Sequence, residues 1–157
     1  MSSVSLSPGD SAPDFSLPRD GGETVSLGDL SGKIIVLYFY PRDDTSGCTK
    51  EAIAFTDHLA AFEAAGAVVL GVSKDTVAKH EKFRDKHDLG VTLLSDENGD
   101  VCERYGAWGE KKMYGKTFHG IIRSTFLIDR NGTIARVWPK VKVPGHAEEV
   151  LEAVKSL

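Results

Sequence analysis

Lys33-Ile-Ile-Val-Leu-Tyr-Phe-Tyr40, followed at once by Pro41-Arg-Asp-Asp-Thr-Ser-Gly-Cys48, is the stretch on which the fold turns. Ile34 to Tyr40 is apolar on nearly every residue and rich in β-branched and aromatic side chains. That pattern predicts a central strand covered on both faces, as in a parallel sheet. From Cys48 the period changes: Cys48, Ala52, Phe55, Leu59 and Phe62 fall at i, i+4, i+7, i+11 and i+14, one face of an amphipathic helix that Gly66 is expected to end. Ala67 to Val72 then reads as a second buried strand, completing a βαβ unit.

Outward from this unit, Phe15-Ser-Leu17 and Thr24-Val-Ser-Leu27 around Gly21-Gly22 predict an N-terminal β-hairpin. Downstream come a polar helix carrying Val77 and Phe83 and closed by Gly90, a short strand Thr92 to Leu94, and a short helix Asp100 to Tyr105. Gly106 to Ile122 reads as a long loop. Ser124 to Asp129 and Thr133 to Trp138 flank Arg130-Asn131-Gly132, a hairpin signal. After Pro144-Gly145, a last helix offers Val150, Leu151, Val154 and Leu157 as its apolar face. The sum is an α/β fold of thioredoxin-like class, a mixed central sheet with helices on both faces and an N-terminal β-hairpin.

The chain has 157 residues, a length that suits one domain over 1–157. Hydrophobic residues at 41% and charged residues at 27% exclude disorder as the main state. A net charge of −4 without a basic stripe argues against nucleic acid as a partner. No apolar run approaches the roughly 20 residues that span a bilayer, so no membrane is expected. The N-terminus lacks the basic and apolar regions of a secretory signal, which makes the cytoplasm the expected location. Two cysteines cannot form a disulfide framework. No metal-ligand spacing or cofactor motif stands out: the five histidines are scattered, with His80 and His87 read as a solvated helix face, and Gly115-Lys116-Thr117 lacks the earlier glycine of a P-loop.

Cys48 lies just beyond the carboxyl end of the central strand, where α/β sheets usually bind ligands. Thr45 or Ser46 can cap the following helix, which places Cys48 in its first turn. Free N–H groups and the positive helix end there favour an anion, and a thiolate is one. A plain core cysteine would explain the apolar stripe. It would not explain a preceding loop that gathers Pro41, Thr45 and Gly47, which restrict the backbone, supply a hydroxyl and allow close approach.

Pro41-x-x-x-Thr45-x-x-Cys48 resembles the active-site motif of the peroxiredoxins, and Tyr38-Phe-Tyr-Pro41 with Gly47-Cys-Thr-Lys-Glu-Ala52 resembles their Q-type, or bacterioferritin comigratory protein, subgroup. Ala12-Pro-Asp-Phe15, Gly71-Val-Ser73, Arg123-Ser-Thr-Phe-Leu-Ile-Asp129 and Val141-Lys-Val-x-Gly-His146 agree in order along the chain. The resemblance implies a thiol-dependent peroxidase that reduces hydrogen peroxide and organic hydroperoxides through a sulfenic acid at Cys48. In it Thr45 bonds the thiolate and peroxide, Pro41 shields the nucleophile, and Arg123 stabilises the developing charge. No cofactor is implied, and the chain is expected to act as a monomer.

Both usual resolving positions of the subgroup are empty: Ile53 stands five residues after Cys48, and Val77 to His87 contains no cysteine. Cys102 alone remains, in Asp100-Val-Cys-Glu-Arg-Tyr105, and reads better as a half-buried helix residue than as a resolving thiol. The favoured expectation is a one-cysteine cycle resolved by an external thiol: thioredoxin, glutaredoxin or glutathione. A two-cysteine cycle through Cys102 and a non-catalytic chaperone or binding module are the alternatives. A thioredoxin-type oxidoreductase is excluded, because Cys48-Thr-Lys-Glu51 lacks the second cysteine. Lys111, Lys112 and Lys116 read as a solvated loop, with reductant docking as the less favoured use.

Overall fold

The computed structural model describes residues 6–157. Its central sheet has five strands in the order β5-β4-β3-β8-β9: β3 (Ile34–Phe39), β4 (Ala67–Ser73), β5 (Thr92–Ser95), β8 (Ser124–Ile128) and β9 (Ile134–Trp138). β3 lies in the middle with all six residues buried, parallel to β4 and antiparallel to β8. The continuous apolar run of Ile34 to Tyr40 follows from this placement, since alternate side chains enter different cores. Ile34, Val36, Tyr38 and Tyr40 join the core beneath α1 (Ser46–Asp57), α2 (Leu59–Ala64), α3 (Val77–His87) and α5 (His146–Lys155). Ile35, Leu37 and Phe39 face the core closed by α4 (Val101–Arg104) and the hairpin β1 (Ser16–Pro18) and β2 (Thr24–Ser26). The sheet is mixed, with helices on both faces, as the sequence predicts.

The register sets Tyr38 opposite Gly71. A Cβ on Gly71 would lie 2.7 Å from the Tyr38 ring, so glycine is what lets the aromatic lie flat across β4. Tyr38 then stacks on Phe55 at 4.7 Å, which seats α1 on the sheet.

Four expectations need correction. The single helix predicted from Cys48 to Phe62 is two, broken at His58, whose ring bonds Glu148 of α5 at 3.0 Å. Asp88, not Gly90, supplies the left-handed residue after α3, with φ 53°. Leu157 is exposed, so the apolar face of α5 ends at Val154. Gly106 to Ile122 is no loop: β6 (Trp108–Met113) and β7 (Lys116–Ile121) pair as a hairpin around Tyr114 and Gly115, both at positive φ. Residues 116–119 are all exposed, so no core face imposes the alternation that announces a strand.

His146 opens α5 in the core, edge-on to Phe55 and Trp138, with Nε2 2.8 Å from Thr125 Oγ1. Burial pushes this imidazole down to about 4, so the fold selects its neutral form. Because the folded value lies below the unfolded one of about 6.5, this contribution is present above pH 6.5 and is lost as the pH falls towards 4. Urea unfolding at pH 7 and pH 5 should show His146→Gln losing on the order of 2 kcal/mol less than the parent. Equal losses would contradict this role.

Candidate functional site

Cys48 is 1% exposed, in the first turn of α1 at the carboxyl end of β3. The connecting loop is anchored by a chain of buried polar groups. Tyr40 donates its hydroxyl to Asp43 Oδ1 at 2.6 Å, His80 Nδ1 meets Asp43 Oδ2 at 2.6 Å, and His80 Nε2 lies 2.9 Å from the Leu94 carbonyl. The Asp43 N–H donates to Asp75 Oδ2. His80 is fully buried, which corrects its reading as part of a solvated face. Burial lowers its pKa, but the bond and charge of Asp43 outweigh that and hold the imidazole above its ordinary value. The loop carrying Pro41 and Thr45 is thereby tied to β4, β5 and α3.

Arg123 enters from the turn between β7 and β8. Its backbone is fixed on both sides, by the Ile122 N–H bonded to the Ala107 carbonyl and by its own carbonyl accepting from the Val141 N–H. The guanidinium spans two groups on α1: Nη2 lies 3.3 Å from Cys48 Sγ and Nη1 lies 2.6 Å from Glu51 Oε1. Gly47 makes this approach possible, since a Cβ there would stand 3.1 Å from Nη2.

Glu51 is the site residue that sequence reasoning missed. It follows Cys48 by three positions, so the two carboxyl and thiol groups share a helix face, and that spacing was the available signal. Its side chain is buried, and burial pushes its pKa up to about 7, although the charge and bond of Arg123 pull the other way. Oε2 and the nearby core hydroxyl of Tyr38 have no hydrogen-bond partner among the described residues.

The other expected residues lie as follows. Thr45 caps α1 by backbone position, but its hydroxyl donates to the Arg42 carbonyl at 2.9 Å rather than to Cys48. Pro41 is half-buried at the start of the loop. Cys102 is fully buried, not half-buried, and belongs to the core on the opposite face of the sheet from Cys48. Its N–H donates to Asp96 Oδ2, and burial pushes its thiol pKa far up. Lys111 belongs to β6, not to a loop, and burial followed by the charge of Arg123 lowers its ammonium pKa. Gly115, Lys116 and Thr117 lie at the hairpin turn and the start of β7, without the strand–loop–helix setting of a phosphate cradle.

A sulfur held against a guanidinium at a helix N-terminus suits nucleophilic attack in which negative charge develops on the atoms beside it. No helix among the described residues is long and apolar enough to cross a membrane.

Comparison with known proteins bears on the same chemistry. Residues 8–137 match the AhpC/TSA family. A putative peroxiredoxin bcp of Coxiella burnetii is 54% identical over 148 residues, covering 94% of this chain and 98% of its own. Among solved structures, a cysteine variant of PrxQ from Xylella fastidiosa superimposes with a TM-score of 0.92 at 39% identity, covering 98% of each chain. The bacterioferritin comigratory protein of Xanthomonas campestris, described for its alkyl peroxide reduction activity, gives 0.87 at 40% identity over 99% and 98% of the two chains.

Proposed function

The chain belongs to the AhpC/TSA family as a peroxiredoxin of the Bcp/PrxQ group, a thiol-dependent peroxidase, and from that we propose that Cys48 is its peroxidatic cysteine in a one-cysteine cycle resolved by an external thiol. The observation that carries this is the Arg123 guanidinium shared between Cys48 Sγ and Glu51. The Cys48 thiolate attacks the distal oxygen of the hydroperoxide. An S–O bond forms as the O–O bond breaks, sulfur is oxidised to the sulfenic acid, and the peroxide is reduced to an alcohol or water that takes up a proton. Arg123 neutralises charge on sulfur and on the departing oxygen. Glu51 acts through Arg123, as a positioning residue. Pro41 and Thr45 shape the entrance, with the Thr45 hydroxyl free to turn from the Arg42 carbonyl to an incoming peroxide oxygen.

An external thiolate then attacks sulfenic Cys48, forming a mixed disulfide with loss of water, and a second thiol releases Cys48. Thioredoxin, glutaredoxin and glutathione are the reductants this reading considers. The placement of the two cysteines on opposite faces of the sheet supports an outside thiol, as does the absence of any third cysteine. On this reading the protein works as a monomer in the cytoplasm, a reducing compartment in which thiols persist. Cys102→Ser should retain peroxide turnover with glutathione or thioredoxin within about twofold of the parent, since a bystander carries no step of the transfer. Loss of turnover, with sulfenic Cys48 accumulating, would assign the resolving step to Cys102.

A further inference from the structure

The buried contact between the Cys48 loop and α3 fixes where a proton sits. His80 is fully buried, and both of its ring nitrogens face acceptors: Nδ1 lies 2.6 Å from Asp43 Oδ2 and Nε2 lies 2.9 Å from the Leu94 carbonyl. A carbonyl can only accept, so Nε2 carries a hydrogen. Asp43 takes the Tyr40 hydroxyl at Oδ1, as a carboxylate does, and imidazole is the stronger base of the pair. Both ring nitrogens therefore donate, and His80 is an imidazolium. With Asp43 ionised, a neutral ring would turn a lone pair on either the carboxylate or the carbonyl.

Several elements contribute the groups that face this ring. Asp43 comes from the loop, the Tyr40 hydroxyl at the end of β3 lies 3.5 Å from Nδ1, Asp75 after β4 accepts the Asp43 N–H at 2.8 Å, and β5 supplies the Leu94 carbonyl. Its neighbours on α3 turn elsewhere: Lys79 is exposed, and Glu81 accepts the Gly21 N–H. The tie acts directly on the residues before Cys48. Asp44 is held at φ 59°, a left-handed conformation that persists in a non-glycine residue where its surroundings fix it. Thr45 follows, its carbonyl accepting from the Thr49 N–H at the start of α1, and Cys48 lies in that first turn. Asp44 also pairs with Lys86 and His87, but those contacts are exposed and screened. A buried pair such as Asp43–His80 fixes register more than it stabilises.

We propose that His80 is a positioning residue for the oxidation of Cys48: as a doubly protonated ring it donates to Asp43 and to the Leu94 carbonyl at once, and so holds the loop of Pro41 and Thr45, with the first turn of α1, in the geometry that meets peroxide. This rests on Cys48 being the reacting thiol. His80 acts through Asp43 and touches no reacting atom. Burial lowers the pKa of the ring, but the bond and charge of Asp43 outweigh it and the folded value is raised. The hold is therefore full below the unfolded value of about 6.5 and is lost as the pH rises through the folded one. Oxidation of Cys48 should slow on the alkaline side for that reason, although a thiolate gains nothing but population as the pH rises.

The test follows the ring and the reaction separately in the full chain. Long-range proton–nitrogen NMR of the histidine rings should show both His80 nitrogens protonated at pH 7 in the parent, and a neutral ring in Asp43→Asn. Stopped-flow oxidation of Cys48 by hydrogen peroxide between pH 5 and 10 should fall about tenfold on the alkaline side in the parent, with its midpoint at the ring's own titration, the scale of a sub-ångström misplacement of a reacting group. Asp43→Asn and His80→Gln should run flat there and lie about tenfold below the parent at pH 7. Phe83→Leu, which trims the packing of the same helix against Tyr40 without touching the pair, should keep the alkaline fall. A neutral His80 at pH 7, a parent profile without the fall, or a flat profile in Phe83→Leu would overturn the proposal, as would rates in Asp43→Asn and His80→Gln within about twofold of the parent. Failure of hydrogen peroxide to form a sulfenic acid on Cys48 would instead bring down the underlying assignment, and the positioning role with it; the ring titration is read independently of that outcome.

Discussion

Cys48→Ser should abolish peroxide reduction, leaving no consumption above the protein-free background, while the fold is retained. The Cys48 thiol, at the carboxyl end of β3, combines nucleophilic sulfur, a helix N-terminus and a guanidinium at 3.3 Å. Serine is nearly isosteric, so the core aromatics, Tyr38 stacked on Phe55 and Phe62 tilted against Phe55, keep their contacts. An alcohol at this position is far less acidic than a thiol, and its oxygen cannot pass through a sulfenic acid. The measurement is hydrogen peroxide consumption with an external thiol, alongside thermal unfolding. A variant that unfolds at the parent temperature yet consumes peroxide at the parent rate would remove Cys48 from the reaction.

Arg123→Ala should lower the second-order rate of Cys48 oxidation by about 10²- to 10³-fold, the range for loss of a preorganised donor at developing negative charge. Two effects combine. Cys48 loses its cationic neighbour, and buried Glu51 loses the partner of Oε1. Glu51→Gln separates them, because the amide can still accept from Arg123 but carries no charge. Burial places the Glu51 transition at about 7, so the parent rate–pH profile should carry an inflection near pH 7 that the Gln variant lacks. Stopped-flow oxidation by hydrogen peroxide between pH 5 and 9 checks both. An unchanged rate in Arg123→Ala would show that the guanidinium is only structural, and identical profiles for Glu51→Gln and parent would deny Glu51 its positioning role.

Much of this architecture is written in one-dimensional pattern. The run from Ile34 to Tyr40 can be placed as a doubly covered strand because both cores draw on it. Cys48 follows from the change of period immediately afterwards. What escapes the pattern depends on partners distant in sequence. The helix break at His58 answers to Glu148, 90 residues away. The buried bond between Asp43 and His80 joins a loop to a helix 37 residues on, and nothing local distinguishes His80 from a solvated neighbour. The β6–β7 hairpin has no alternation to announce it because much of it faces water, and its turn uses Tyr114 before Gly115 where Asn is usual. Glu51 was hidden by its charge, since an acidic residue in an amphipathic helix ordinarily belongs on the solvated side. Only the position of Arg123 gives it a reason to be inside.

The proposed one-cysteine cycle is supported by Cys48 and Cys102 lying in different cores on either side of the sheet. Its most direct test is to oxidise the fully reduced protein with one equivalent of hydrogen peroxide, trap with dimedone, and map both cysteines by mass spectrometry without reduction. The account predicts a dimedone adduct on Cys48, a free thiol on Cys102, and, when glutathione or thioredoxin is added before the trap, that reductant captured on Cys48. A quantitative disulfide between Cys48 and Cys102 in monomeric protein would contradict it.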